Sequence, residues 1–207
     1  MTSLTSRATG YSLVLPSPWK RIPLVGATKA TVRKILDEAF AGLPRDSIAP
    51  YRQEIEQRLA KAISQARQTG GKDLYLPIGM KRDSVISASF VVSDFPLEFP
   101  EGADPDGLAA ALASAETSQE QRARKVTVAN VPAVRMERTA GANPEQGIEF
   151  GSRRVIYIIS IPGNTKTWMS IAFSTLGAGD PDDDFAILLV QLFDAIVSTM
   201  RWKFADE

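Results

Sequence analysis

The chain of 207 residues contains neither cysteine nor histidine. Without cysteine it has no disulfide, no thiolate nucleophile and no Cys-ligated zinc. Without histidine it also lacks the commonest general base and metal ligand of proteins. Because these two absences exclude most familiar catalytic constellations, we expect a protein that is not an enzyme. We assign no catalytic, cofactor-binding or metal-ligating residue from the sequence, and no cofactor.

An excess of charge of either sign is also missing, since Lys plus Arg and Asp plus Glu number 24 each. No global field therefore attracts nucleic acid, an anionic membrane or a strongly charged partner. The apolar runs are far shorter than a membrane span, and the first residues lack the apolar region of a signal peptide. We expect no nucleic acid partner, no membrane insertion and a cytoplasmic location.

Apolar sequence, by contrast, is plentiful, because 44% of the residues are hydrophobic. A chain of this length and composition can bury the core of one large domain. We predict a disordered tail over residues 1–9 and a single globular domain over residues 10–207, without internal repeats.

The strongest periodic signal lies in the last fifty residues. Residues 183–203 predict a helix with apolar residues on one face and Asp194 on the polar flank, where its loss should change stability little. A strand predicted at 154–162, earlier in the same stretch, has apolar residues on both of its faces. This is typical of a strand that is covered on two sides. The predicted inward stripe of the helix consists of Phe185, Leu188, Leu189, Leu192, Phe193, Ile196, Val197 and Met200.

The rest of the chain predicts a helical hairpin at about 28–68, with Thr28 as the first N-cap, and a short surface helix after Asp104. Residues 125–138 are predicted as one strand interrupted at Pro132. The predicted strands lie near residues 11, 75, 88, 130, 157 and 171. We expect them to form one sheet, so the fold class is α+β: a central antiparallel β-sheet covered by helices on both faces, an α/β/α sandwich. The C-terminal helix should lie on one face and the hairpin on the other.

Two segments are similar to ligand-binding motifs. The run from Gly163 to Thr167 is similar to a phosphate-binding loop, but it lacks the first glycine and leads into a strand, which favours a hairpin turn. The acidic run from Asp180 to Asp184, like Asp104 and its neighbours, offers cation ligands. It lacks the Glu that completes an EF-hand loop, and acidic residues at helix starts cap backbone amides, so we favour capping.

Basic residues are enriched between positions 122 and 154. Exposed aromatic residues do not alternate with them, so a solvated sheet edge is favoured over a nucleic-acid surface. This basic set consists of Arg122, Arg124, Lys125, Arg135, Arg138, Arg153 and Arg154. The three tryptophans, Trp19, Trp168 and Trp202, are predicted to pack in the core or at its rim.

Four segments carry a resemblance to a known family: Tyr11 to Trp19, Asn130 to Val134, Trp168 to Thr175 and Phe193 to Trp202. Together they resemble the PsbP-like α/β/α sandwich superfamily, including actinobacterial proteins of similar layout. The likeness covers residues 10–24 and 73–203. It implies a non-enzymatic scaffold, because members include photosystem accessory subunits, a nuclear-transport factor that binds Ran, secretion-linked chaperones and small lipoproteins. No functional residue of the family transfers to a position here.

Three functions stay open from the sequence. The first is a non-enzymatic protein-interaction or accessory module with an unidentified protein partner. The alternative is a small-ligand or lipid carrier with a pocket between sheet and helices, near Trp19 or Trp168. The third is a carboxylate-based hydrolase, for which no pair of acids stands out by spacing or apolar setting.

Overall fold

The computed structural model describes residues 7–17, 19–41, 45–78, 87–97, 104–115, 121–142 and 150–205. These residues form an α+β protein with four helices, a large antiparallel sheet and a separate two-stranded ribbon. In chain order the elements are β1 (Ala8–Ser12), β2 (Trp19–Pro23), α1 (Thr28–Ala39), α2 (Arg45–Gln68), β3 (Gly71–Pro77), β4 (Ala88–Pro96), α3 (Pro105–Ala115), β5 (Gln121–Val128), β6 (Val131–Ala140), β7 (Ser152–Ile161), β8 (Asn164–Thr175), α4 (Asp184–Ser198) and β9 (Arg201–Phe204). The large sheet has seven strands in the order β2-β3-β4-β8-β7-β6-β5.

The prediction of a single sheet is wrong, because β1 lies outside the seven-stranded sheet and pairs antiparallel with β9. The C-terminal helix ends at Ser198, short of the predicted Lys203. The chain then continues as β9, in which Trp202 opposes Tyr11 of β1. Alternation of apolar and basic residues over Arg201–Phe204 is the signal of this strand, which helical periodicity concealed. The predicted tail was also too long, since β1 already begins at Ala8.

The single strand predicted over residues 125–138 is instead the hairpin of β5 and β6. Val128 opposes Val131, and the two residues between them, Ala129 and Asn130, both have positive φ, 48° and 63°. Such a two-residue turn matches the twist of the flanking strands. The usual glycine is missing from it, so the sequence showed no turn there. The turn that was predicted at Gly163 is confirmed, because Gly163, with φ of 69°, lies between β7 and β8.

Helix α4 packs on one side of the seven-stranded sheet, which we call the α4 face. Phe193 is fully buried at its centre, stacked on Phe173 at 4.7 Å between ring centroids and tilted against Phe90 at 5.4 Å. The buried strand side chains of the α4 face are Tyr75, Phe90, Val92, Ala133, Val155, Tyr157, Ile159, Met169, Ile171 and Phe173.

The predicted inward stripe of α4 is only partly right. Leu189, Phe193, Ile196, Val197 and Met200 are buried as predicted, with Leu192 partly buried. The prediction is wrong for Phe185 and Leu188, because 37% and 58% of their surface is exposed. Ala186 and Val190 are buried in their place. The run from Phe185 to Val190 is apolar throughout, so it gives no contrast from which to read the inward side.

The hairpin of α1 and α2 packs against β2 and β3 through a second cluster that contains Ile22, Leu36 and Leu74. Gly71 permits this close approach, because a Cβ there would lie 2.6 Å from the Ala66 carbonyl oxygen and 2.8 Å from Val91 Cγ1. The prediction of Thr28 as N-cap is wrong, since Ala27 holds that position. The Thr28 hydroxyl donates instead to the Pro23 carbonyl oxygen at 2.7 Å.

Helix α3 packs against β5 and β6. Its outer residues are exposed, as predicted for a surface helix, but Ala109 is fully buried in a third cluster with Val134, Ile158 and Trp168. A small residue at this position lets the helix backbone approach the strands. On its second apolar side, β7 therefore shares a cluster with α3 through Ile158, whereas we had expected the α1 and α2 hairpin there.

Between the contacts of the α1 and α2 hairpin and those of α3 lies a half-exposed part of the sheet. Its side chains alternate with those of the α4 face along β4, β7 and β8, so they point to the opposite side. We call this surface the central strip, and it consists of Ser89, Val91, Ser93, Arg154, Ile156, Ser170, Ala172 and Ser174.

Candidate functional site

An apolar cavity of about 430 Å³ opens beside the central strip, between the helical hairpin and the sheet. We call it the first cavity. Its volume is in the range of small-molecule sites, roughly 300 to 1,000 Å³. A depression of about 1170 Å³ between α1 and α2 is larger, but exposed Lys29, Arg33, Glu56 and Gln68 contribute to its lining, whereas the lining of the first cavity contains one charged residue, Arg58. The first cavity is therefore the better candidate site.

The walls of the first cavity are the inward stripes of the two hairpin helices. Leu36 and Phe40 face it from α1, Ile55 and Leu59 from α2, and Leu74 belongs to its floor. These positions recur at helical spacing in the sequence, which is why the helices present one apolar side to the sheet. The site is thus made by the same residues that hold the hairpin in place.

The floor of the first cavity becomes polar toward the central strip. Ser89 and Ser174 line it and oppose each other directly in the register of β4 and β8. Beyond them Thr175 is buried, and its hydroxyl donates to the Ser87 carbonyl oxygen at 3.0 Å and accepts from the Gly177 amide at 3.0 Å. An apolar chamber with a few hydroxyl groups on one side suits an amphipathic small molecule.

A second cavity of about 310 Å³ lies at the other end of the central strip. We call it the second cavity. It is lined by Phe95, Met136, Arg138, Arg154, Ile156, Ile158 and Ser170. Arg154 directly opposes Ser174 of the first cavity in the register of β7 and β8, so the two cavities adjoin along the sheet.

The basic set predicted as one solvated edge is divided between the two sides of the sheet. Arg135, on the side of the α4 face, is buried, with 6% of its surface exposed, so the solvated-edge prediction is wrong for it. Its guanidinium donates to both Asp194 carboxylate oxygens at 3.0 and 2.9 Å and to Glu137 at 2.7 Å. Asp194, predicted on the polar flank of α4, is half-buried, and Tyr157 also donates to it at 2.8 Å.

This network extends to the surface through Glu137. Arg153 donates to Glu137 at 2.7 Å and to Asp182 at 3.1 Å. Burial on its own raises the pKa of Glu137, but the hydrogen bonds from Arg135 and Arg153 outweigh it, so the pKa of this carboxyl lies below its usual value. Burial, with the bond to Asp194, raises the pKa of the Tyr157 phenol. The network ties α4 to the sheet.

The remaining members of the basic set are exposed or line the second cavity. Arg122 and Arg124 are exposed on β5, and Lys125 pairs with Asp106 of α3. Arg138 and Arg154 lie on the side of the central strip, where both line the second cavity. The sequence therefore identified the basic residues but not the side of the sheet on which each one lies. The alternation of side chains along β6 and β7 determines that side.

A second polar cluster, which sequence reasoning missed, joins the β1 ribbon to the large sheet. Asp73 is buried and accepts from Tyr11 at 2.5 Å and from Arg21 at 2.8 and 3.1 Å. The Tyr11 and Tyr75 hydroxyls lie 3.0 Å apart, and burial raises the pKa of Tyr75 to about 12. An acid inside an apolar strand, as in the run from Asp73 to Leu76, was the available signal.

The acidic runs are helix caps, as predicted. Asp183 is the N-cap of α4 and accepts from the Ala186 amide at 2.5 Å and the Ala178 amide at 2.7 Å. Asp104 accepts from the amides of Asp106 and Gly107 at the start of α3. Across the described part of the chain, no three acidic side chains are grouped closely enough to hold a metal ion.

The tryptophans are packing residues, as predicted. Trp19 and Trp168 are buried, in the first and third apolar clusters, and Trp202 is partly buried against the first. Neither cavity described here is lined by a tryptophan. The pocket that we expected near Trp19 or Trp168 is instead beneath α1 and α2.

Comparison with known proteins adds no family to this geometry, because the chain matches no protein-family model and no curated protein. Of the helices in the described residues, none is sufficiently long and apolar to cross a membrane.

Proposed function

We propose that the protein is a non-enzymatic carrier that binds a small amphipathic molecule in the first cavity. The observation that carries this proposal is the cavity itself, an apolar chamber of about 430 Å³ with hydroxyl groups on the side of the central strip. It agrees with the carrier function that the sequence left open. The scaffold we propose is the α/β/α sandwich expected from the sequence, and its support is the alternation of the apolar clusters along the strands. The likeness to the PsbP-like superfamily and the cytoplasmic location stay predictions.

The chemistry of the buried acids supports a binding role over hydrolysis. A carboxylate general acid needs a setting that keeps its proton near neutral pH. Among the described residues, Asp73 is held by Arg21, and Glu137 and Asp194 are held by Arg135. Each of these carboxylates therefore forms a salt bridge with an arginine, and none of them lies in the unpaired apolar setting that such an acid needs.

Binding of N-phenyl-1-naphthylamine, an uncharged and largely apolar fluorophore, tests whether the first cavity takes a ligand. We expect saturable binding with one site per chain. Ser89→Phe places a ring in the cavity floor and should weaken binding at least about tenfold. Ser93→Phe is the matched control, on the same strand and the same side but outside the cavity lining, and should bind like the unmodified protein. Absence of binding, or equal loss in both variants, would refute the carrier function.

The second candidate function is the protein-interaction module predicted from the sequence. A specific observation favours it: Phe185, Ile187 and Leu188 leave an apolar surface exposed on α4. Leu188→Ser should release a protein that co-purifies with the chain from its source, whereas Gln191→Ser, also exposed on α4, should retain it. A native mass spectrum of the same preparation separates the two functions, since a carrier retains a small-molecule mass.

A further inference from the structure

Two arginines oppose each other directly across β6 and β7 on the side of the central strip. Arg138 is the register partner of Arg154. Like charges in directly opposed positions destabilise a sheet. Within the described residues neither side chain forms a salt bridge, and Arg154 only donates to the Ser152 hydroxyl at 3.2 Å. The fold therefore maintains an unfavourable pair of cations at this position.

The other side of the same two strands shows the contrast. Arg135 and Arg153 belong to β6 and β7 as well, and each is paired with an acid on the strands or on α4. These arginines are neutralised within the chain, whereas Arg138 and Arg154 are left for an anion from outside. A guanidinium is suited to this purpose, because its planar fork donates two parallel hydrogen bonds to a carboxylate.

The surroundings of this pair are apolar on one side and adjacent to the first cavity on the other. The second cavity places Ile156, Ile158 and Phe95 beside the arginines. Arg154 opposes Ser174, whose side chain lines the first cavity. Arg154 is therefore one strand away from the part of the first cavity that Ser174 lines, and Arg138 is one strand further.

We propose that Arg138 and Arg154 bind the carboxylate head group of a single-chain amphipathic ligand whose apolar part occupies the first cavity. This inference rests on the proposed carrier function and adds the charge class of its ligand. The bound carboxylate lies between the two guanidinium groups and offsets their mutual repulsion. The Ser174 hydroxyl, between the first cavity and Arg154 on the central strip, is a further donor along its path.

Calorimetric titration with two probes of equal chain length, dodecanoate and 1-dodecanol, tests the head-group assignment separately from the cavity. The unmodified protein should bind dodecanoate at least about tenfold more tightly than the alcohol. Arg138→Gln and Arg154→Gln should each lower the affinity for dodecanoate to nearly that for the alcohol. Neither variant should change the affinity for the alcohol. Arg124→Gln, an exposed arginine on the neighbouring strand β5, is the matched control and should change neither.

Thermal unfolding distinguishes ligand binding by Arg154 from a purely structural role of this arginine. Without ligand, Arg154→Gln should melt no lower than the unmodified protein, because one of two opposed cations is removed. With dodecanoate present, only the unmodified protein and Arg124→Gln should show a large rise in Tm.

Each other outcome overturns a stated part of the account. If the alcohol binds as tightly as dodecanoate, the head-group inference is wrong and the carrier function stands. If neither probe binds, and the neutral fluorophore does not bind either, both are wrong. If dodecyl phosphate binds at least about tenfold more tightly than dodecanoate, the carboxylate is the wrong anion. A lower Tm of ligand-free Arg154→Gln would assign that arginine a structural role and refute the inference.

Discussion

The α4 face and the central strip are formed by the same strands, yet their side chains differ in size, burial and charge pairing. On β8, Ile171 and Phe173 point to the α4 face and are buried, while Ala172 and Ser174 point to the central strip and are half exposed. Large apolar residues fill the first side. Small and hydroxyl residues leave room on the second.

Polar groups follow the same division. On the side of the α4 face Arg135 is buried and has carboxylate partners on β6 and α4, as the cost of burying an unpaired charge requires. On the side of the central strip Arg138 and Arg154 oppose each other without an acid among the described residues. One side of the sheet is therefore specialised for stability, and we propose the other for binding.

The largest expected difference between the two sides is tested by adjacent residues of β8. Phe173→Ala removes a buried ring that stacks on Phe193 and should lower the free energy of unfolding by about 3 to 5 kcal/mol. Ser174→Ala, on the central strip, should change it by about 0.5 kcal/mol or less. Denaturant unfolding of both variants measures the difference, and similar losses would contradict the division between the two sides.

The ion network of the α4 face should show the next largest effect. Asp194→Ala removes two hydrogen bonds from buried Arg135 and one from Tyr157, and should cost about 2 to 3 kcal/mol. Asp182→Ala is the control, because 69% of that side chain is exposed, and should cost less than about 1 kcal/mol. Equal unfolding free energies of Asp194→Ala and the unmodified protein would show that the network does not anchor α4.

Acid should weaken the same network through Glu137. Its pKa is lower in the folded protein than in the unfolded chain, so on acidification the unfolded chain takes up the proton first. The stability that Glu137 contributes is complete above its unfolded pKa of about 4.3, and is lost as the pH falls through the lower, folded pKa. Denaturant unfolding between about pH 5 and 3 should show a smaller loss in Glu137→Gln than in the unmodified protein. Parallel curves would contradict this assignment.

The smallest effect is expected on the exposed side of α4 itself. Leu188→Ala should change the free energy of unfolding by about 0.5 kcal/mol or less, because 58% of Leu188 is exposed. Leu189→Ala, one residue away and buried, should cost about 2 to 5 kcal/mol. A large loss for Leu188→Ala in denaturant unfolding would restore the broader stripe predicted from the sequence.

Local patterns predicted the helices and most strands because hydrophobic periodicity reflects which side of an element is buried. They failed where the pattern gave no contrast or the usual residue was absent. The apolar run of Phe185 to Val190 hid the orientation of α4, and the turn at Ala129 and Asn130 has no glycine. The α+β class and the large antiparallel sheet were predicted correctly, but the separate β1 and β9 ribbon was not.

The candidate site was less predictable, since its parts come from distant segments. Ser89 and Ser174 face each other only because β4 pairs with β8, and Arg135 reaches Asp194 across 59 residues of sequence. A serine in a strand or an acid on a helix carries no sign of such a partner. Strand order determines these contacts, and no periodicity in a single sequence encodes strand order.

The central claim is that the central strip is open in the folded protein while the α4 face is closed, and the absence of cysteine makes this directly measurable. Ser174→Cys and Val155→Cys each introduce a single thiol, the first on the central strip and the second at a fully buried position of the α4 face. The rate of labelling by a water-soluble thiol reagent should be at least about a hundredfold higher for Ser174→Cys, because Val155→Cys reacts only through unfolding. Saturating dodecanoate should slow only the first reaction. Equally slow labelling of both native variants would contradict the account.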